Sequence, residues 1–520
     1  MKRFDKVQIL KNVGSSWFAL GLNIVVGIFL SPYILHRLGD DAFGLWILIF
    51  SVTGYYGIFD LGIRSSIIRY VAKYAALEHR DQLNRLVNTA MIAYLGVGLL
   101  TMSITVVGSF YLNSIFRVPT AFLATARLLF LMVGTSVALS FPLGVFGGIL
   151  EGLQRFYVLN FTNISSTVLR AVLVVIALRR GHGLLAVAFI TVLLPLIGAL
   201  VNAAIVLRIL PLRLNFQYFD RATLRRIANY SGTTFIIIVA TRLRFKADAV
   251  IIGTFLSSAA ITYFTIGSRL VDYAGEVVGG LAQIFVPMSS QLQAAGDMDR
   301  LRKIFVAGNR ACALVIFPVT AILIILGKSI IEAWVGAKYV AASYPVLLIL
   351  VIPSTLMLAQ SASGRILWGM AKHRTWAWVV LIEGSANLIL SIVLVRHLGV
   401  IGDAMGTAIP LTCTMLFFLP RHVCRLLNIP LRSYLTQAFT LPLALCAPLV
   451  LVLLWMRHWF VAHNYFELAI QLVIGCLVYG AGLLWVFLTN RAWKVEPVSG
   501  TAAPEQAVPL ALIETFPRET

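Results

Sequence analysis

The sequence predicts an all-α polytopic membrane protein of about 14 transmembrane helices, built as two pseudo-symmetric six-helix bundles plus two C-terminal helices. Three observations carry this. The 520 residues are 59% hydrophobic and only 12% charged, roughly half the charge expected of a soluble chain. The apolar residues fall in blocks of about 20, enough for a helix to cross a ~30 Å hydrocarbon layer. Two segments, GGILEGLQR at 147–155 and GRILWGMAK at 364–372, share the pattern Gly-x-Ile-Leu-x-Gly-apolar-x-basic. The same offset, within a residue or so, relates GLLAVA at 183–188 to GVIGDA at 399–404, and the turn before Ala42-Phe43 to the turn before Ala260-Ile261.

Taken in order, the blocks 13–34, 43–59, 86–112, 121–141, 158–178 and 184–207 make the first bundle, 1–210. All read as helices, because an unclosed strand would leave backbone groups unpaired in lipid. The segment before them, MKRFDKVQILK, resembles a signal n-region, but the block that follows is long and lacks a small-x-small cleavage site, so it reads as a retained span. The linker 211–228 follows, where Asp220 before ATLRRI predicts an N-capped amphipathic helix on the membrane surface. The blocks 229–256, 261–287, 304–326, 344–367, 376–395 and 400–419 form the second bundle, 229–424. Helices over 435–454 and 466–488 lie outside the repeat, within 425–490. The tail 491–520, with its Pro, Ala, Glu and Thr, is expected to be disordered and cytoplasmic.

The net charge of +21 does not point to nucleic acid, because the cations sit in short loops between apolar blocks and no basic soluble domain exists. With the N-terminus cytoplasmic, about 28 Lys and Arg fall on the cytoplasmic side and about nine opposite, which predicts a multi-pass protein with both termini in the cytoplasm. Five cysteines lie in or at the ends of apolar blocks without a Cys-x-x-Cys or Cys/His cluster, so neither a disulfide framework nor a metal site is expected. No GxxxxGK[ST] phosphate loop occurs. With no loop beyond about 25 residues, no soluble domain is left to hold a catalytic site or a cofactor.

Charges inside spans each cost roughly 2.5–3.5 kcal/mol on insertion scales, so they face water, a partner or a substrate. The seventh span holds Arg242, Arg244, Lys246 and Asp248. Arg242 and Lys246 share one face a turn apart; Arg244 and Asp248 share another and can neutralise each other. An anion between Arg242 and Lys246 would relieve their repulsion; pairing with acids on other helices is the alternative. Arg170, mid-span in the fifth helix, is a second candidate cavity cation, and Arg244 a further one. Arg269, Asp272 and Glu276 share one face of the eighth span, as an internal ion pair with a spare carboxylate or as ion-coupling groups. Glu383, with Asn387 a turn later, and Asp248 are further coupling candidates. Asp60 and Arg64, a turn apart, read as a structural clasp. Glycines at 144, 148 and 152, at 275 and 279, and at 402 and 406 form GxxxG steps suited to close helix packing. Trp334, Trp368, Trp376, Trp455 and Trp459 read as interfacial anchors.

FGLWILIFSVTGYYGIFDLGIRSSIIRYVAKY (43–74) resembles the bacterial polysaccharide-biosynthesis flippases (Wzx-like) of the multidrug/oligosaccharidyl-lipid/polysaccharide exporter superfamily. GLQRF near Gly152, DAVIIGTFL near Asp248, WVGAKY at 334–339 and LGVIGDAMGTAI near Gly399 carry the same resemblance, which covers about residues 10–490. It implies two six-helix bundles around a V-shaped, water-accessible cavity that moves a polyprenyl-pyrophosphate-linked oligosaccharide between leaflets by alternating access, drawing on an ion gradient. It also implies membrane lipids, a polysaccharide polymerase and a chain-length regulator as partners, a monomeric chain, and no enzymatic activity. Family cavity residues vary, so the candidates above rest on the residues themselves.

Two rivals belong to the same superfamily. A multidrug or metabolite exporter would have twelve helices and a less cationic cavity. A lipid-linked peptidoglycan-precursor flippase would share the helix count. A polysaccharide polymerase or ligase would need a long outward loop, and 328–344 and 456–466 are too short for one.

Overall fold

The computed structural model describes residues 6–460 and 465–489; the side chains of 6–10, 13, 229–234, 236, 237, 243, 245 and 246 lie outside this description. The expected tail from 491 onward also lies outside the described residues. Among those described, the chain is helical throughout, with no strand. The first half comprises α1 (Lys6–Leu38), α2 (Asp40–Gly54), α3 (Ile63–Ala76), α4 (Arg80–Ile115), α5 (Leu123–Gly152), α6 (Phe156–Arg179) and α7 (Leu184–Ile209). The second comprises α8 (Arg221–Phe255), α9 (Ser258–Ala282), α10 (Phe285–Ala294), α11 (Met298–Val335), α12 (Val340–Ala359), α13 (Ser361–Gly369), α14 (Arg374–Cys413) and α15 (Leu419–Leu427). Last come α16 (Leu431–Trp459) and α17 (Tyr465–Leu488), which pack on each other and on α11.

This is a multi-pass membrane protein. Eleven helical segments among the described residues are long and apolar enough to cross a bilayer, and one of them, Arg374–Leu427, contains a reversal. At Gly399 the backbone turns to φ 59°, ψ −137°, which glycine adopts without a Cβ penalty. The two arms of this hairpin then cross closely: a Cβ at Gly402 would collide with the Leu394 carbonyl, and one at Gly406 with Ser391. The 402/406 step therefore packs helices as its spacing predicts. Gly148 and Gly152 do likewise against Ile67, Ile68 and Val71, while Gly144 and Gly279 meet nothing. Helices α8 and α9, which hold most of the mid-span charges, sit inside the bundle without such an apolar stretch.

The internal repeat is written in the backbone. Positive φ recurs at Glu78 (56°) and Gly296 (71°), at Gln154 (57°) and Ala371 (54°), and at Gly181 (81°) and Gly399 (59°). The middle pair occupies the same place in the two nonamers. Most of these turns close a helix by an amide reaching back five residues: His79 to Tyr74, Asp297 to Leu292, Arg155 to Leu150 and Lys372 to Leu367. These satisfy carbonyls that a helix end would otherwise orphan. Packing repeats too. In the first half α1 pairs with α6, α4 with α5 and α5 with α7; in the second, α8 pairs with α14, α11 with α12 and α12 with α14.

Short helices α3, α10 and α13 are absent from a reading by apolar blocks. The block expected over 344–367 is two helices broken at Gln360, whose amide donates to the Met415 carbonyl at 2.9 Å. The surface helix expected within 211–228 is corrected as well. Asp220 does cap a helix, accepting from the Ala222 and Thr223 amides at 3.1 and 3.0 Å, and the Thr223 hydroxyl holds its carboxyl below the usual range. That helix is α8 itself, which continues without a break into the seventh span. The connector before it is bonded along α4: Asn84 and Asn88 hold Arg213 and Asn215, and Thr89 accepts from the Asp220 amide.

Candidate functional site

A cavity of about 800 Å³ lies between the halves, within the ~300–1,000 Å³ of ligand sites. Its wall takes residues from α1, α2, α6, α7, α8, α9, α11, α12 and α14. The charged members are Arg170, Arg244, Asp248, Arg269, Asp272 and Glu276.

The helical face that α8 turns inward is the one carrying Arg244 and Asp248, not the one carrying Arg242. The Arg242 guanidinium lies against Gly57 in the 3-10 turn Tyr55–Asp60, where a Cβ would sit 2.6 Å from it. The expectation that Arg242 faces the cavity is thus corrected; the side chain of Lys246 lies outside the described residues. Arg244 and Asp248 do not neutralise each other. Arg244 Nε pairs with Glu383 at 2.9 Å, with side chains 7% and 2% exposed, and Asp248 accepts from the Thr407 hydroxyl at 3.0 Å. Glu383 is therefore the buried counter-ion of Arg244. Asn387 donates to the Arg244 carbonyl at 3.5 Å and accepts from Ser391 at 3.2 Å. The α14 hairpin supplies Glu383, Asn387 and Thr407, which explains why α8 faces it with this side.

Arg170 is half-buried, its Nε makes no hydrogen bond, and no ion pair reaches it among the described residues. The charge that acts on it is another cation, Arg269 of α9. Arg269 stands 3.9 Å from Asp272, both half exposed, so that pair is loose and screened. Two cations, one from each half, thus sit close enough to repel. Glu276 lies on the same face as Asp272. With three acids beside three bases, the wall is not uniformly positive; Asp272 and Glu276 offset Arg269, and Arg170 is the wall cation with no acid paired to it among the described residues.

Sequence reasoning missed three groups. It treated Arg269 only as a partner for its own helix. It passed over Asp403, which is fully buried, has neither carboxyl oxygen hydrogen-bonded, and lies within electrostatic reach of Asp248; a lone acid in the apolar block GDAMG was the available signal. It also passed over the aromatics of α2.

One end of the cavity is closed by bonds between the halves. Asp40 accepts from Lys338 at 3.1 Å, Tyr339 at 2.5 Å and Tyr263 at 3.3 Å. The Asp40 carbonyl accepts from Thr262 and the Asp41 carboxylate from Ser258, both at 2.7 Å. Trp334, expected as an interfacial anchor, is buried and donates to the Ile28 carbonyl at 2.7 Å. A Cβ on Gly44 would collide with the Ser258 carbonyl, so α2 and α9 touch backbone to backbone. The expected Asp60–Arg64 clasp does not form: Arg64 pairs with Glu151 at 2.7 Å, and Asp60 accepts from Tyr94.

Asp40→Ala removes the acceptor of three latch bonds. In a variant without the exposed Cys413 and Cys476, it should raise labelling of a cysteine at Ser354, in the cavity wall, by impermeant reagent from the latched side several-fold. Unchanged labelling would show that the apolar contacts close this end alone.

The chain matches the family model described as "Polysaccharide biosynthesis protein" over residues 9–293. It is 22% identical to the membrane protein EpsK of Bacillus subtilis (strain 168), over 80% of this chain and 83% of that one. It is 18% identical to a protein named as an O-antigen transporter of Shigella flexneri, over 78% and 95%. Among solved structures, it is similar to the lipid II flippase MurJ in an inward closed conformation, with TM-score 0.67 and 16% identity over 93% of this chain and 99% of that one. An inward-facing multidrug resistance MATE family transporter of the MOP superfamily gives TM-score 0.66 at 14% identity, over 78% and 94%.

Proposed function

From the premise that this chain belongs to the polysaccharide biosynthesis protein family, we propose that it is a flippase for a polyprenyl-pyrophosphate-linked oligosaccharide, serving cell-surface polysaccharide assembly by alternating access. It is a transporter rather than an enzyme. The observation that carries the reading is Arg170, a cavity cation without an acidic partner among the described residues, set against Arg269 from the other half. A pyrophosphate between them would relieve their repulsion and bond both halves through one ligand. The names of the Shigella flexneri transporter and of a Haloferax volcanii low-salt glycan biosynthesis flippase, 23% identical over 36% of this chain, support this substrate class.

The Lys and Arg bias supports an inner-membrane orientation with both termini cytoplasmic and the Asp40 latch outward, so the cavity opens to the cytoplasmic leaflet where the lipid is made. Fourteen spans follow when α8, α9 and both arms of α14 cross. Ion coupling falls to the acids: Asp272 and Glu276 on the wall, and Asp248 with buried Asp403, two carboxylates that could share one proton or cation. A monomer engaging a polymerase and a chain-length regulator completes the proposal.

The test is reconstitution. In vesicles carrying polyprenyl-pyrophosphate oligosaccharide in one leaflet, the full chain should make the sugar accessible to a lectin on the far side. Lectin access no faster than in protein-free vesicles, with drug or peptidoglycan-precursor transport instead, would replace this reading with one of its rivals.

A further inference from the structure

We propose that α2 presents a sugar-stacking shelf, in which the rings of Trp46 and Phe50 receive the pyranose faces of the substrate's head group; this rests on the flippase reading above. Four residues of α2, Phe43, Trp46, Ile47 and Phe50, lie at i, i+3, i+4 and i+7 and all line the cavity, which is one face of a helix. The opposite face is fixed by backbone. Gly44 is pressed on the Ser258 carbonyl, and Leu48 fills the space where Gly253 lacks a side chain. The helix therefore has no freedom to turn its aromatics elsewhere.

Trp46 and Phe50 stack with ring centroids 5.6 Å apart and planes 27° from parallel, so they form one continuous surface rather than two separate rings. Both are partly exposed and packed against a core that residues of both halves build. The chemistry of this surface is amphipathic. The indole N–H of Trp46 has no hydrogen-bond partner among the described residues, nor has the hydroxyl of Ser51 on the same wall. Trp334, the other tryptophan in the wall, differs: its N–H is spent on the Ile28 carbonyl. A wall built only to exclude water would not leave an indole donor unused.

A pyranose has the complementary make-up. One face of the ring is a plane of C–H bonds that lies on an aromatic surface, and its rim carries hydroxyls that need donors and acceptors. Arg170 and Arg269 line the same cavity, so the phosphates and the sugars of one head group would have separate places: guanidinium for the first, indole and phenyl faces for the second. An isoprene chain could also lie on rings, but it would leave the indole N–H and the Ser51 hydroxyl unsatisfied.

The experiment compares two probes on the purified full chain: polyprenyl pyrophosphate alone, and the same lipid carrying an oligosaccharide. Trp46→Ala should weaken binding of the glycosylated lipid by roughly tenfold, the scale of one aromatic contact plus a hydrogen bond, and leave the sugarless lipid within about twofold of wild type. Trp46→Tyr, which keeps a ring and a donor, should retain most of the affinity. Phe50→Leu should act in the same direction with a smaller effect. Equal weakening for both lipids would place the prenyl chain on the shelf and overturn the proposal, as would no change for either. Wild-type binding that ignores the sugar would overturn the shelf and leave the flippase reading standing; wild-type binding of neither lipid would overturn both.

Discussion

Glu383→Ala is expected to destabilise the protein by about 3–5 kcal/mol, the usual consequence of stranding a buried charge. The substitution leaves the Arg244 guanidinium in the bundle without its carboxylate, which now stands 2.9 Å away with both side chains almost fully enclosed. The Met357 sulfur, another neighbour of that guanidinium at 3.2 Å, is a weak acceptor and cannot replace a charge. The check is the thermal unfolding midpoint of the detergent-solubilised protein. The double variant Arg244→Met with Glu383→Leu separates charge burial from shape: it should recover most of the loss, because a buried ion pair exchanged for apolar groups of similar volume is often neutral. A midpoint unmoved by Glu383→Ala would mean that water or another group solvates Arg244.

Arg170→Ala and Arg269→Ala address the substrate. A hydrogen bond to a charged group contributes about 1.5–3 kcal/mol, so each single variant should lower transport of the lipid-linked sugar roughly 10- to 100-fold at substrate levels below saturation. The double variant should be near background. Both side chains border the cavity, so neither truncation should remove the protein from the membrane. Arg242→Ala is the contrast. It deletes a cation from the same bundle but from the Gly57 contact rather than from the wall, and it should leave head-group binding intact. Normal transport by a well-expressed Arg170→Ala, Arg269→Ala double variant would sink the anion site.

The architecture was legible because lipid imposes a length and a backbone rule on every span, and because the duplicated turns keep their residues. The nonamers around Gln154 and Ala371 share a positive φ as well as a sequence pattern. What a sequence of this kind cannot supply is rotation. Periodicity groups Arg242 with Lys246 and Arg244 with Asp248, yet both faces are charged, and only the hairpin at Gly399, bringing Glu383 and Thr407 to α8, decides which turns inward. Trp46 and Phe50 were hidden for a related reason: in an apolar block, aromatics that face a cavity read the same as aromatics that face lipid.

Helix α8 belongs to both halves. Its cap is fastened to the first half through the connector along α4, and its far portion is packed into the second against α14. At 35 residues it is a beam of roughly 50 Å, and a tilt of about 10° about its α14 end would carry the capped end, with the connector bonded to it, by up to about 9 Å. Small angular changes where the cavity sits would thus be geared into large displacements at the membrane surface, where Arg221, Arg225 and Arg226 ride on its first turns.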